Sequence, residues 1–119
     1  MKENLLIDLS KKFAIDVVNI CNELLEKSKN HALINQLLRS GTSIGANIHE
    51  GNVSISRKEF VSKFQIALKE CYETQYWLEL FKETKIISQE LFDDLYEKSS
   101  KIRKLLSSSV ITAKNNFKK

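Results

Sequence analysis

Residues 31–51 read HALINQLLRSGTSIGANIHEG, and this stretch decides the fold. Ile34, Leu37, Gly41, Ile44 and Ile48 recur at steps of three and four, so they share one face of a helix, with Leu38 and Gly45 beside them. Two glycines inside a helix cost roughly 1 kcal/mol each relative to alanine. Close approach of a neighbouring helix is the expected offset, and Ser40, Gly41 and Gly45 make part of the surface nearly smooth. Along the flank runs a polar row, Ser40, Ser43, Asn47 and Glu50. Such a row is either a solvated face or a hydrogen-bond network to another helix or subunit, because Ser and Asn are poor helix formers whose side chains seek partners. Ser40, Gly41, Gly45 and Asn47 are therefore the close-packing candidates. Gly51 is placed to take the left-handed conformation that closes a helix.

The same periodicity extends in both directions from this segment. Upstream, Leu6, Leu9, Phe13, Val17, Ile20 and Leu24 form one stripe that stops at the polar run 26–30, which predicts a helix over about 5–28 before the one at 31–50. Downstream, Ser56 and Glu59 fit a capping box. From there a third helix runs to about 84, with Phe60, Phe64, Ala67, Cys71, Leu78 and Phe81 on one side. After a short turn at 85–87, Ser88 is placed as the N-cap of a fourth helix over about 88–115, which buries Leu91, Leu95, Ile102, Leu106, Ser109 and Ala113. Short connections make consecutive helices antiparallel neighbours, so the expected fold is all-α: one domain over 1–119, an antiparallel up-down-up-down four-helix bundle. The absence of proline from the 119 residues agrees with long uninterrupted helices.

Catalytic patterns are absent from the sequence. The two histidines, His31 and His49, have Ser28 and Ala46 three residues before them, so neither completes the Glu-x-x-His pair of a di-metal bundle. His49-Glu50 begins like a zinc-protease helix, but the fifth position is Val53. Gly41 and Gly45 lie inside a helix and make no phosphate loop. Cys21 and Cys71, fifty residues apart, form no disulfide framework or metal knuckle and fall on or beside apolar stripes, as core thiols do. We expect no enzyme, no catalytic residue, no metal and no cofactor. No run of about 18 apolar residues is present, so no membrane span is expected and the cytoplasm is the default compartment.

Two surfaces remain. The third helix carries a second apolar stripe, with Ile66, Trp77 and Leu80 roughly opposite the core and Tyr76 nearby. A bundle helix needs one such stripe, so the second suggests contact with another copy of the chain, and Glu70 and Glu73 on that side are placed to pair with lysines across it. The charge is also uneven. Of 19 basic and 15 acidic residues, seven basic and no acidic ones fall in 98–119, so a net +7 segment follows a body of net −3. Lys101, Arg103, Lys104, Lys114 and Lys118 on the outer half of the fourth helix are the candidate nucleic-acid contacts, against the plainer reading of a solvated helix end whose cations suit the macrodipole. There is no aromatic platform among those lysines, so sequence-specific base stacking is not indicated, and binding should be salt-sensitive and sequence-tolerant.

The run Gln36-Leu37-Leu38-Arg39-Ser40-Gly41-Thr42-Ser43-Ile44-Gly45-Ala46-Asn47-Ile48-His49-Glu50-Gly51 closely resembles the signature of the four-helix-bundle proteins encoded in 23S rRNA intervening sequences. Lys58-Glu59-Phe60, Ile66-Ala67-Leu68-Lys69-Glu70 and Glu73-Thr74-Gln75-Tyr76-Trp77-Leu78-Glu79-Leu80 resemble its second signature. The resemblance runs from about Phe13 onward and departs at His49, Cys71 and Tyr72, where it leads us to expect Ala, Ala and Arg. It implies an antiparallel bundle that assembles as a homopentamer with a central channel. It also implies likeness in fold to the accessory proteins of diversity-generating retroelements, pentamers that bind nucleic acid and a reverse transcriptase through basic surfaces. The family's name reflects gene location, not an activity. The expected role is thus a non-enzymatic homo-oligomeric scaffold associated with RNA or another nucleic acid. The rival is a protein-interaction module without nucleic acid, whose basic segment grips an acidic protein partner.

Overall fold

A computed structural model describes residues 2–117, with side chains from 4 to 116. Four helices follow one another: α1 (Lys2–Lys27), α2 (His31–Asn52), α3 (Arg57–Glu83) and α4 (Gln89–Phe117). Each packs on its neighbours in the chain, α4 closes back on α1, and the diagonal pairs do not approach. The result is an all-α, antiparallel bundle of 52 × 21 × 20 Å. The α1–α4 seam is the least extensive of the four.

The stripes meet along the axis. Phe13 and Val17 of α1, Ile34, Leu37, Ile44 and Ile48 of α2, Phe64, Leu78 and Phe81 of α3, and Leu95, Ile102 and Leu106 of α4 are all essentially inaccessible. Burial of these side chains at about 1.5–3 kcal/mol each is what holds the four helices together.

Ser56 caps α3 in extended geometry and accepts the Glu59 N–H at 3.1 Å, so only the serine half of the expected capping box forms. Ser88 caps α4 by accepting the Leu91 N–H at 3.1 Å. Between them Lys85 adopts the left-handed conformation, with φ 63°. The Ile86 N–H reaches the Phe81 carbonyl at 2.8 Å and the Lys85 N–H reaches that of Lys82 at 3.1 Å, which is a Schellman closure built on lysine instead of glycine.

Gly51 does not close α2 in that way. It is helical, its φ is negative, and α2 continues to Asn52. The reason for glycine here is packing: a Cβ would stand 2.7 Å from two ring carbons of Phe64. The other two glycines face α1 and differ in tightness. A Cβ on Gly41 would meet both methyls of Val17 at 2.9 and 3.0 Å and its Cβ at 3.3 Å, so no rotation of that side chain relieves the clash. A Cβ on Gly45 would rest 3.4 Å from the carbonyl and hydroxyl oxygens of Ser10. Gly41→Ala is therefore expected to destabilise by about 1 kcal/mol net, overpacking outweighing the gain in helix propensity, whereas Gly45→Ala is expected to stabilise by up to about 1 kcal/mol. Denaturant midpoints for the two variants should move in opposite directions; a shared direction refutes this account.

Candidate functional site

The fourth helix carries its cations in two states. Lys98 is paired at the surface within the chain, donating to Asp94 at 3.0 Å and to Asp16 of α1 at 3.1 Å, and these carboxylates hold its ammonium pKa above the usual value. Lys101, Arg103, Lys104 and Lys114 make no ion pair with any described residue. Lys118 lies outside the described residues.

The four unpaired cations do not share one face. Lys101 turns toward α1 and lines a cleft of about 420 Å³ with Leu9, Lys12, Phe13 and Ile102. Arg103 turns toward α3, where its guanidinium lies over the Tyr72 ring with its carbon 5.5 Å from the ring centroid. Its Nε is sealed from solvent and has no hydrogen-bond partner. Lys104 is exposed on the outer surface between these flanks, and exposed Lys114, eleven residues past Arg103, returns to the Arg103 side. Tyr72 is the residue sequence reasoning missed. No aromatic stands between Lys101 and Lys104 on α4, but α3 supplies one from the next helix. Its position one residue past Cys71 of the α3 core stripe was the available signal.

On the outer side of α3, Ile66 is 42% exposed and Tyr76 56% exposed, while Trp77 and Leu80 are half-buried against the core. The Trp77 ring meets Tyr76 edge-on at 5.0 Å, and its indole N–H donates to Glu73 at 3.0 Å. Glu70 and Glu73 are both taken within the chain. Arg39 of α2 donates to Glu70 at 2.8 Å and also to Glu73. The Trp77 indole N–H and the Arg39 guanidinium hold the Glu73 carboxyl below the usual carboxylate range, and Arg39 is raised in turn. Directly beneath, the Thr74 hydroxyl donates to Ser40 Oγ at 3.0 Å in a fully buried bond between α3 and α2.

The rest of the α2 polar row divides. Glu50 accepts from Lys63 of α3 at 2.9 Å, whereas Ser43 and Asn47 bond back to carbonyls of their own helix, those of Arg39 and Ser43, at 2.6 and 2.8 Å. Half of the row links helices and half serves α2 itself.

The remaining reactive side chains are dispersed. Burial pushes the Cys21 thiol up to about 11 and the Cys71 thiol up to about 12, far from thiolate nucleophiles at neutral pH. His31 donates to the Leu25 carbonyl at 2.9 Å, and His49 lines a separate groove between α1 and α2. Among the described residues no three His, Cys, Asp or Glu side chains come together as a metal site, and no helix is long and apolar enough to cross a membrane.

Residues 2–108 match the family model described as 23S rRNA-intervening sequence protein. The chain belongs to this family. A solved structure from Bacteroides thetaiotaomicron VPI-5482, described as a protein with unknown function from the S23 ribosomal protein family, is 44% identical and superposes with a TM-score of 0.90 over 92% of this chain and 98% of the other. No curated protein matches. In this 23S rRNA-intervening sequence protein, the tyrosine under Arg103 stands at 72, a position where the resemblance leads us to expect arginine.

Proposed function

We propose that this family member is a non-enzymatic, self-associating helical scaffold that holds nucleic acid along α4. The observation that carries the reading is the set of cations on α4, Lys101, Arg103, Lys104 and Lys114, that no carboxylate among the described residues neutralises. Charges already satisfied within the fold have little to offer a polyanion, whereas free ones release counterions when they meet phosphates. Self-association rests on Ile66 and Tyr76, large side chains left exposed on α3. A ring of copies, five by the family resemblance, would repeat a modest patch into an extended one.

The test is binding to RNA across a salt series by wild type and by a variant with all four cations changed to alanine. Each phosphate contact contributes roughly 0.7–0.9 to the slope of log affinity against log salt. Because the four do not share one face, one strand meets only part of the set, and the variant's slope should be shallower by about 1–3. No affinity by wild type at low salt overturns the nucleic-acid reading. For the assembly, Ile66→Glu should lower the mass seen by light scattering without loss of helical signal, and a monomeric wild type at high concentration overturns self-association. The rival module reading draws on the α1–α4 cleft, apolar and rimmed by Lys12, Lys101 and the Lys98–Asp16 pair. A protein captured after nuclease treatment, with no RNA affinity, favours it.

A further inference from the structure

We propose that Tyr72 and Arg103 form a stacking subsite for single-stranded nucleic acid, the tyrosine ring taking an unstacked base and the arginine an adjacent phosphate. The inference rests on the nucleic-acid reading above and deepens it by naming the form of the ligand.

Arg103 is unlike the arginine at the other seam. Arg39 is compensated by two carboxylates. Arg103 is half-buried at the α3–α4 seam with its Nε sealed, and among the described residues no carboxylate or carbonyl receives its protons. The two terminal nitrogens of the guanidinium are not sealed and no described residue accepts from them, so they remain available to an external anion. Its charge is felt by its neighbours, drawing the buried Cys71 thiol and the half-buried Tyr96 phenol down against the larger upward effect of burial. Its guanidinium lies over the Tyr72 ring at cation–π distance.

Tyr72 is 56% exposed, so much of its ring remains free. Lys104 follows Arg103 in the chain and Lys69 lies one turn before Tyr72; both are exposed, and neither makes an ion pair. A π-face beside a cation, flanked by further cations, is the arrangement that tracks a single strand. A duplex hides its base faces, so it has only phosphates to offer this surface. Every base has a π-face, so binding remains sequence-tolerant even though stacking, which α4 alone did not indicate, now takes part.

The test compares a single-stranded oligouridylate with an RNA duplex, using wild type, Tyr72→Ala, Tyr72→Phe and Lys104→Ala. Tyr72→Ala should weaken single-strand binding on the order of 5- to 100-fold, as expected for one lost stacked base, without changing the salt slope. Tyr72→Phe should retain the affinity, and duplex binding should be unaffected by either change. Lys104→Ala should lower the single-strand slope by roughly 0.7. If Tyr72→Ala binds the single strand as tightly as wild type while Lys104→Ala still lowers the slope, stacking is refuted and the electrostatic reading stands. If wild type binds neither RNA at low salt, both fall. Unchanged thermal unfolding of Tyr72→Ala, expected for so exposed a side chain, separates a binding loss from a folding loss.

Discussion

Phe64→Ala is expected to lower the free energy of unfolding by about 3–5 kcal/mol, the usual cost of removing a fully buried phenylalanine. For a chain of this length that is a fall in Tm of roughly 10–20 °C. Phe64 is inaccessible, its ring lies 4.1 Å from that of Phe60, and the backbone of α2 is brought against it at Gly51. The surroundings cannot collapse into the space, because α2 and α3 are held together along the same seam by Lys63–Glu50, Thr74–Ser40 and Arg39–Glu70. The same geometry makes Gly51 and Phe64 non-additive. In the wild type, Gly51→Ala drives a methyl into the ring and should cost about 1–3 kcal/mol. In the Phe64→Ala background the new methyl enters vacated space and the helix gains roughly 1 kcal/mol of propensity, so the sign of the substitution reverses. Chemical denaturation of the four proteins closes the cycle. A Gly51→Ala effect of equal size in both backgrounds would show that the ring does not select glycine at 51.

Arg39→Ala is expected to cost about 2–3 kcal/mol at pH 7. Breaking a fully buried ion pair costs about 3–5 kcal/mol, and this one is discounted because the Arg39 side chain is 48% exposed. What remains is the penalty of leaving Glu70, nearly buried at 11% side-chain exposure, without its donor. The loss should depend on pH. Glu73 has its pKa lowered in the folded state by the Trp77 indole and by Arg39. A carboxylate with a depressed folded pKa contributes stability that is complete above its unfolded value, near 4.3, and that disappears as pH falls through the folded value. Wild type should therefore lose stability below about pH 4 more steeply than Arg39→Ala, and the gap between them should narrow at pH 3. Glu70→Gln in the Arg39→Ala background should recover part of the loss at pH 7. A gap that is constant from pH 7 to 3 rules out this electrostatic account and leaves only lost alkyl packing.

The helices were legible because each carries a stripe at helical spacing, and burial of that stripe dominates the free energy of each element. The observed ends, 2–27, 31–52, 57–83 and 89–117, lie within three residues of the expected ones. The cap residues Ser56 and Ser88 were legible because their bonds to backbone N–H groups are local in sequence. Gly51 was misread for the complementary reason. Its need for glycine comes from a ring thirteen residues away on another helix, while the left-handed position it seemed to fill belongs to Lys85, where no glycine marks it.

The candidate surfaces divide along the same line. Composition and order along the chain sufficed to place a basic segment at the C-terminal end and a polar row on α2, whereas of the second apolar stripe expected on α3 Ile66 and Tyr76 are exposed and Trp77 and Leu80 pack against the core. Charge and periodicity are properties of single elements, and they survive folding unchanged. The pairings between elements were not written there. Lys98 is neutralised by Asp16, eighty-two positions earlier, while Lys101 three residues on is not. Arg39, not a lysine of another copy, takes Glu70 and Glu73. The aromatic ring beside the basic helix comes from α3. Each depends on the rotation and axial register of one helix against the next. Those are set by the shapes of Val17 against Gly41 and Phe64 against Gly51, so they emerged only when all four stripes were packed at once.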